Sequence, residues 1–384
     1  MKTAIWNLAF RPFFLGSAIF AVLAIGLWLA VLYGGFPPIG YLSPIVWHAH
    51  EMVYGFAVAV IAGFVLTAAR NWTGLPGFAG ARLKLLFGVW LAARIAIAVA
   101  SHPSVLLSAL DLSIFPLLAF FLFPYVRAPD MRIERVFFLY FLLFFAGDLL
   151  VHLDALGIFP GQATRGLTLG VHAIILVIIF MGGRVIPFFT ESSIARRQPK
   201  THVIVENGSH VSAWAFLIAW QIDPSSRPTA FVALAAAAFQ ALRLRGWYVP
   251  RIRRAPLIWV LHLGYLWIAI GFLLSAFAAW GSLPASVALH AFTVGGIGVM
   301  IYGMITRVSL GHTGRRLAPS RRAVAGYVMI GAAAFVRVFG AALFPAESRI
   351  VLLSAGALWI AAFGIFIVEY APILLSPRID GREG

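Results

Sequence analysis

Long apolar runs separated by short polar connectors carry the chain from residue 15 to residue 375. Twelve such runs predict membrane-spanning helices, near 15–33, 47–68, 82–100, 104–126, 134–153, 165–187, 209–222, 228–244, 256–280, 284–306, 322–343 and 350–375. Most reach the roughly 20 apolar residues that a bilayer requires. The run 209–222 is short and is interrupted by Asp223-Pro224. Were 209–244 a single crossing, every later orientation would invert. Ser43-Pro44 predicts a helix start at the second run, an N-cap followed by proline at the first helical position.

Of the 384 residues 62% are hydrophobic and 11% charged. A soluble domain carries roughly 25% charged residues. The expectation is an all-α polytopic membrane protein, one membrane domain over 1–384, from which no water-soluble domain can be cut.

The basic excess, 29 Lys and Arg against 13 Asp and Glu, follows the connectors. With twelve spans one side collects Lys2, Arg11, Arg70, Arg82, Lys84, Arg127, Arg132, Arg135, Arg184, Arg196, Arg197 and Lys200. It also collects Arg243, Arg245, Arg251, Arg253, Arg254, Arg307, Arg315, Arg316, Arg321, Arg322, Arg378 and Arg382. The other side receives Arg165, Arg227 and Arg349, while Arg94 and Arg337 fall inside spans. This is the asymmetry of the positive-inside rule, with both termini cytoplasmic. The charge therefore reports topology, and aromatics in these loops are too few to stack nucleic-acid bases. Met1-Lys2 leads through Asn7–Phe14 into the first run without a small-residue cleavage site, which reads as a retained helix.

The absence of cysteine excludes disulfides, iron–sulfur clusters, thiolate-ligated haem and covalent c-type haem. No Walker loop, no GxGxxG after a strand and no GxSxG is present. Chemistry has to come from histidines and intramembrane charges, and ionisable residues at membrane depth are functional hypotheses by default.

Trp47-His48-Ala49-His50-Glu51-Met52 opens the second span. At 100° per residue His48 and His50 lie about 200° apart, so in a regular helix they cannot share one metal. Interfacial polar packing and metal ligation are both open for them. On the topology above, His48, His50, His102, His152, His172 and His290 belong to the outer side. His262 and His312 belong to the inner side, with His202 and His210 in a polar inner loop. His290 precedes Ala291-Phe292-Thr293-Val294-Gly295-Gly296-Ile297-Gly298, whose bare backbone leaves room for a flat macrocycle or for tight helix packing. Asp148 and His152 form an i,i+4 pair, either a carboxylate–histidine couple or a local ion pair. Arg94, Asp111 and Arg337 are embedded charges, the arginines suited to haem propionates or to pairing with Asp111 and Asp148. The inner runs Gly183–Thr190 and Arg307–Arg315 join Arg184, Arg307 and His312 to small or kinking residues, and with His262 they are candidates for an anionic or second cofactor site.

Arg11-Pro12-Phe13-Phe14-Leu15, Trp47–Met52, Asn71-Trp72-Thr73-Gly74, Gly183–Thr190 and the block from His290 through Arg307 to Gly311-His312-Thr313-Gly314-Arg315 together resemble the NnrS family. The motifs keep their order over residues 10–315. The resemblance implies a twelve-helix bacterial inner-membrane protein that contains haem and copper and acts in defence against nitric oxide. The site residues rest on depth, not on the resemblance.

The leading expectation is a haem b held by His172 or His290, with His48 and His50 serving a second metal or the axial position. Cofactor-binding candidates are thus His48, His50, His172, His290, His262, His312, Arg184 and Arg307, the first four also as metal ligands. Glu51 and Asp148 are the expected proton carriers if nitric oxide is reduced to N2O, with electrons from a quinol or a redox protein. The rivals are a transporter or channel with a histidine-lined polar path, and a haem-bearing electron-transfer or assembly partner. A terminal-oxidase-like core would need an adjacent His-His pair, and the sequence has none.

Overall fold

A computed structural model describes residues 4–127, 131–194 and 202–382, and among them the secondary structure is helical with no strand. The helices, numbered here by passage, are α1 Phe10–Tyr33, α2 Pro44–Thr73, α3 Gly80–Val99, α4 Val105–Val126, α5 Val136–Ala155 and α6 Ala163–Ile194. They continue as α7 Val203–Ile222, α8 Arg227–Trp247, α9 Pro256–Ala279, α10 Ala285–His312, α11 Arg321–Leu343 and α12 Ser348–Leu375. Each expected run falls on one of these passages. Among the described residues nine are long and apolar enough to cross a membrane. The chain is a multi-pass α-helical membrane protein. The other three are α3, α7 and α8. Lys2, Arg196, Arg197 and Lys200, counted in the charge asymmetry, lie outside the described residues.

Several expected runs prove longer, α1, α2, α6, α7 and α10 among them. α7 starts at Val203, six residues before the apolar stretch, because its polar first turns have partners. The Ser209 hydroxyl donates to the Val205 carbonyl, and Gln240 of α8 donates to the Ser209 carbonyl. α10 runs on to His312, which ends the helix rather than following it. Ser43 stands before Pro44 as expected, yet its hydroxyl makes no capping bond. Ser104, Ser226 and Ser320 do cap α4, α8 and α11, each accepting from a backbone N–H three residues on.

α2, α10 and α11 contain π-helical turns, at Glu51–Ala57, Ala291–Gly298 and Val336–Gly340. Such turns insert a residue into the helical phase and recur at functional sites. The phase change in α2 begins directly after His50.

The chain groups into two compact units. One comprises Met1–Gly170, Val308–Leu317 and Phe363–Gly384, the other Val171–Arg307 and Ala318–Ala362. Within the first, α2 is the enclosed helix: 83% of its apolar window is buried, against 28% for α1. Missing side chains permit that enclosure. Gly147 of α5 lies against the Tyr54 hydroxyl, which donates to the Gly166 carbonyl at 2.6 Å. Trp90 of α3 donates to the Gly55 carbonyl at 2.8 Å. Within the second unit, α7 and α8 are joined by the buried Arg243, which pairs with Glu206 and donates to the Ile179 carbonyl at 2.8 Å.

Candidate metal centre

α2, α3, α4 and α5 each contribute charged groups to one buried cluster in the first unit. His50, wholly buried, has a carboxylate on each ring nitrogen. Nδ1 lies 3.0 Å from Glu51 Oε1, and Nε2 lies 2.8 Å from Asp148 Oδ1 and 3.2 Å from Asp111 Oδ2. Arg94 of α3 bridges two of these acids, donating to Glu51 Oε1 at 2.8 Å and pairing with Asp111 Oδ1. His152 Nε2 lies 3.2 Å from Asp111 Oδ2 and 3.6 Å from Asp148 Oδ1. From the α1–α2 connector, the Tyr41 hydroxyl lies 3.4 Å from His152 Nδ1.

Charge decides what this arrangement can do. With neutral imidazoles, the carboxylates of Glu51, Asp111 and Asp148 face the single guanidinium of Arg94. Three negative charges against one positive leave two uncompensated, all buried. Uncompensated charge away from water costs several kcal/mol per ion, so it must be neutralised. Two imidazolium protons can do this, and so can one divalent cation. Ligand atoms of His50, Asp111, Asp148 and His152 lie within 4.8 Å of one another. Two imidazole nitrogens with carboxylate oxygens suit copper(II) and other first-row divalent ions. Asp148 Oδ2 is buried and has no hydrogen-bond partner among the described residues, which leaves a ligand oxygen available.

The other candidates have separate surroundings. His48 points away from His50 and stacks on Trp28, ring centroids 4.0 Å apart. The half-turn separation read from the sequence therefore holds on these neighbours. His172, in the second unit, is buried with Phe216, Trp220 and Phe292 at its ring edges, 5.1, 5.6 and 6.0 Å away. Its Nδ1 has no hydrogen-bond partner among the described residues. His290 is engaged at both nitrogens. Nδ1 is 2.6 Å from the Ser286 carbonyl and Nε2 is 3.1 Å from an Arg337 nitrogen. A guanidinium only donates, so Nε2 accepts and the ring proton sits on Nδ1. The glycines after His290 serve helix packing. A Cβ on Gly296 would stand 3.0 Å from Ile268, and one on Gly298 would stand 2.6 Å from the Trp359 ring.

Of the inner-side candidates, Arg184 lies over the Phe180 ring at 4.5 Å and Arg307 over Phe189 at 3.8 Å. His262 Nδ1 is 3.0 Å from the Ile258 carbonyl, and the His312 ring lies 5.6 Å from that of Phe10. Sequence reasoning named His50, Glu51 and Asp148 as site residues and offered the Asp148–His152 and Arg94–Asp111 pairings that the structure contains, but it did not join Asp111, His152 and Arg94 to His50. Their signal was present in the i,i+4 Asp148–His152 pair and in two opposite charges within apolar spans. Tyr41 gave none.

Fold and site define a multi-pass helical membrane protein with a buried histidine–carboxylate centre able to hold a metal ion. The family model of the NnrS protein matches residues 4–378, nearly the whole chain. The chain belongs to the NnrS family, which connects it with the response to nitric oxide. None of the curated proteins matches it.

Proposed function

We propose that the protein acts in nitric oxide resistance in the bacterial inner membrane, holding haem b and copper and binding nitric oxide at the haem. The observation that carries this reading is the pair of unmet buried demands. One is two surplus negative charges at His50, Asp111, Asp148 and His152; the other is an unpartnered ring nitrogen on His172 within an aromatic shell. The first fits a divalent ion such as copper, and the second is a histidine that would hold a haem iron. His290, with both nitrogens engaged, is the weaker haem candidate.

When bound, haem would supply an iron able to take nitric oxide and copper would supply a one-electron couple. The protein's own groups position these cofactors. Glu51 fixes the His50 ring through Nδ1, leaving Nε2 toward Asp148 and Asp111. Arg94 holds Glu51 and Asp111 in place, and Phe216, Trp220 and Phe292 keep water from His172. Should nitric oxide be reduced to N2O, each N2O consumes two protons and two electrons. Of the three acids of this centre, Glu51 and Asp148 would carry those protons, and the electrons would come from a quinol or a redox protein. The charge asymmetry of the connectors supports twelve crossings with both termini cytoplasmic.

The test is the absorption spectrum of the detergent-purified, dithionite-reduced protein before and after nitric oxide. The expected result is a Soret band that shifts with nitric oxide. A protein without any Soret band after expression with ample haem would refute the reading and favour a transporter.

A further inference from the structure

His50 and His152 each turn Nε2 toward Asp111 and Asp148, yet the group at the far nitrogen differs between them. For His50 it is the Glu51 carboxylate, 3.0 Å from Nδ1. For His152 it is the Tyr41 hydroxyl, 3.4 Å from Nδ1 and, among the described residues, the one polar group within hydrogen-bond reach of that atom. An ionised carboxylate only accepts, whereas a phenol both donates and accepts.

That difference matters because ligation dictates which nitrogen carries the ring hydrogen. Nε2 of His152 lies 3.2 Å from Asp111 Oδ2 and 3.6 Å from Asp148 Oδ1, so a neutral ring facing these acceptors carries its hydrogen there. Nδ1 then accepts from the Tyr41 O–H. An ion at Nε2 needs the lone pair of that nitrogen, which puts the hydrogen on Nδ1. Nδ1–H now requires an acceptor, and the Tyr41 oxygen becomes one by turning its O–H aside. A phenylalanine could serve neither arrangement. The connector between α1 and α2 is built to hold Tyr41 in place. Gly40, at φ +67°, lies so close to the end of α3 that a Cβ there would collide with the Ile97 carbonyl. On the other side Leu42 is buried, and α2 begins at Pro44.

We propose that Tyr41 is a positioning residue for the metal ion: its hydroxyl holds His152 in the tautomer that presents the Nε2 lone pair beside Asp111 and Asp148. This rests on the reading that the His50 cluster holds copper. Partners on the far nitrogen of a ligating histidine fix its orientation and donor strength, and their loss weakens metal binding about 10- to 100-fold. A neutral phenol at 3.4 Å places Tyr41 at the lower end of that range.

The test uses the full chain in maltoside detergent, stripped of copper with a chelator. Cu(II) is titrated in against nitrilotriacetate as competitor and followed by tryptophan fluorescence, and the loaded samples are compared by electron paramagnetic resonance. Tyr41→Phe is expected to bind Cu(II) about tenfold more weakly and to shift the Cu(II) spectrum, because one nitrogen donor changes strength. A purely structural role would leave that spectrum as it is. In the His152→Ala background, adding Tyr41→Phe is expected to weaken binding by less than about twofold, since the hydroxyl acts through that ring. A native affinity or a native spectrum in Tyr41→Phe overturns the role, as does an undiminished loss in the His152→Ala background. Should His152→Ala not fold, the affinity and spectrum of Tyr41→Phe decide alone. A native protein that takes up no Cu(II), or a His152→Ala variant that binds it like the native protein, overturns the copper reading itself and this role with it.

Discussion

His50 has both ring nitrogens against carboxylates, and the acids around it outnumber the one guanidinium that answers them. That imbalance makes Arg94 the residue on which the cluster most depends. Arg94→Ala would leave Glu51 and Asp111 without their shared cation. Removing one partner of a buried ionic group costs about 3–5 kcal/mol, and a loss of that size is expected in thermal or denaturant unfolding of the purified variant. An unfolding midpoint within a degree of the native protein would show that the acids are otherwise neutralised. Tyr41 provides a pH signature from outside the helices. Its burial, with the charges of Asp148 and Glu51, pushes its phenol up to about 12 from 10.0. A folded-state value above the unfolded one gives stability that is complete below pH 10 and is lost as pH rises toward about 12. Tyr41→Phe should therefore flatten the alkaline loss of stability between those values, as followed by unfolding midpoints at stepped pH. At this scale the sequence was partly legible. Two imidazoles, three acids and an arginine within apolar spans mark cost that only function or pairing repays. Which of them meet depends on the rotation of four helices about their axes, and no residue pattern in one helix encodes that.

The π-helical turn of α2 sets that rotation for one of the four. It starts at Glu51, directly after His50, and its residue Gly55 lies beneath the ion network. A Cβ at Gly55 would stand 2.7 Å from Phe20, 3.1 Å from Glu51 Oε2 and 3.2 Å from Arg94 Cδ. Gly55→Ala is therefore expected to destabilise the protein by about 1–3 kcal/mol, the usual cost of overpacking, and to lower its metal content. Gly88→Ala on α3, where nothing lies within 4 Å, is the matched control and should be neutral or slightly stabilising. Equal effects at both positions would remove the steric account. The passages themselves were legible, since apolar length alone marks a helix in a bilayer. The π-helical turns were not: a single inserted residue leaves no trace in hydropathy. The extensions of α7 and α10 were missed for a related reason, because polar side chains at helix ends are paid for by partners on other helices. The glycines after His290 left a macrocycle and a neighbouring helix both open from the sequence, and Trp359 and Ile268 are what approach Gly298 and Gly296.

Across the whole molecule the sequence was most informative in its apolar runs and in its ordered motifs, and the NnrS family model matches residues 4–378. The sequence was least informative about grouping. Reasoning by depth joined His48, His50, His172 and His290. Within one unit His50 has a cluster with Asp111, Asp148 and His152, and within the other His172 has an aromatic shell. On the proposed reading, the His50 cluster holds copper and His172 holds haem. The most direct measurement is copper and haem content, by elemental analysis and pyridine haemochrome, of the native protein, His50→Ala and His172→Ala purified under copper- and haem-replete conditions. The account predicts crossed losses: His50→Ala loses copper and keeps haem, while His172→Ala loses haem and keeps copper. Copper retained in His50→Ala, or haem retained in His172→Ala, would contradict it.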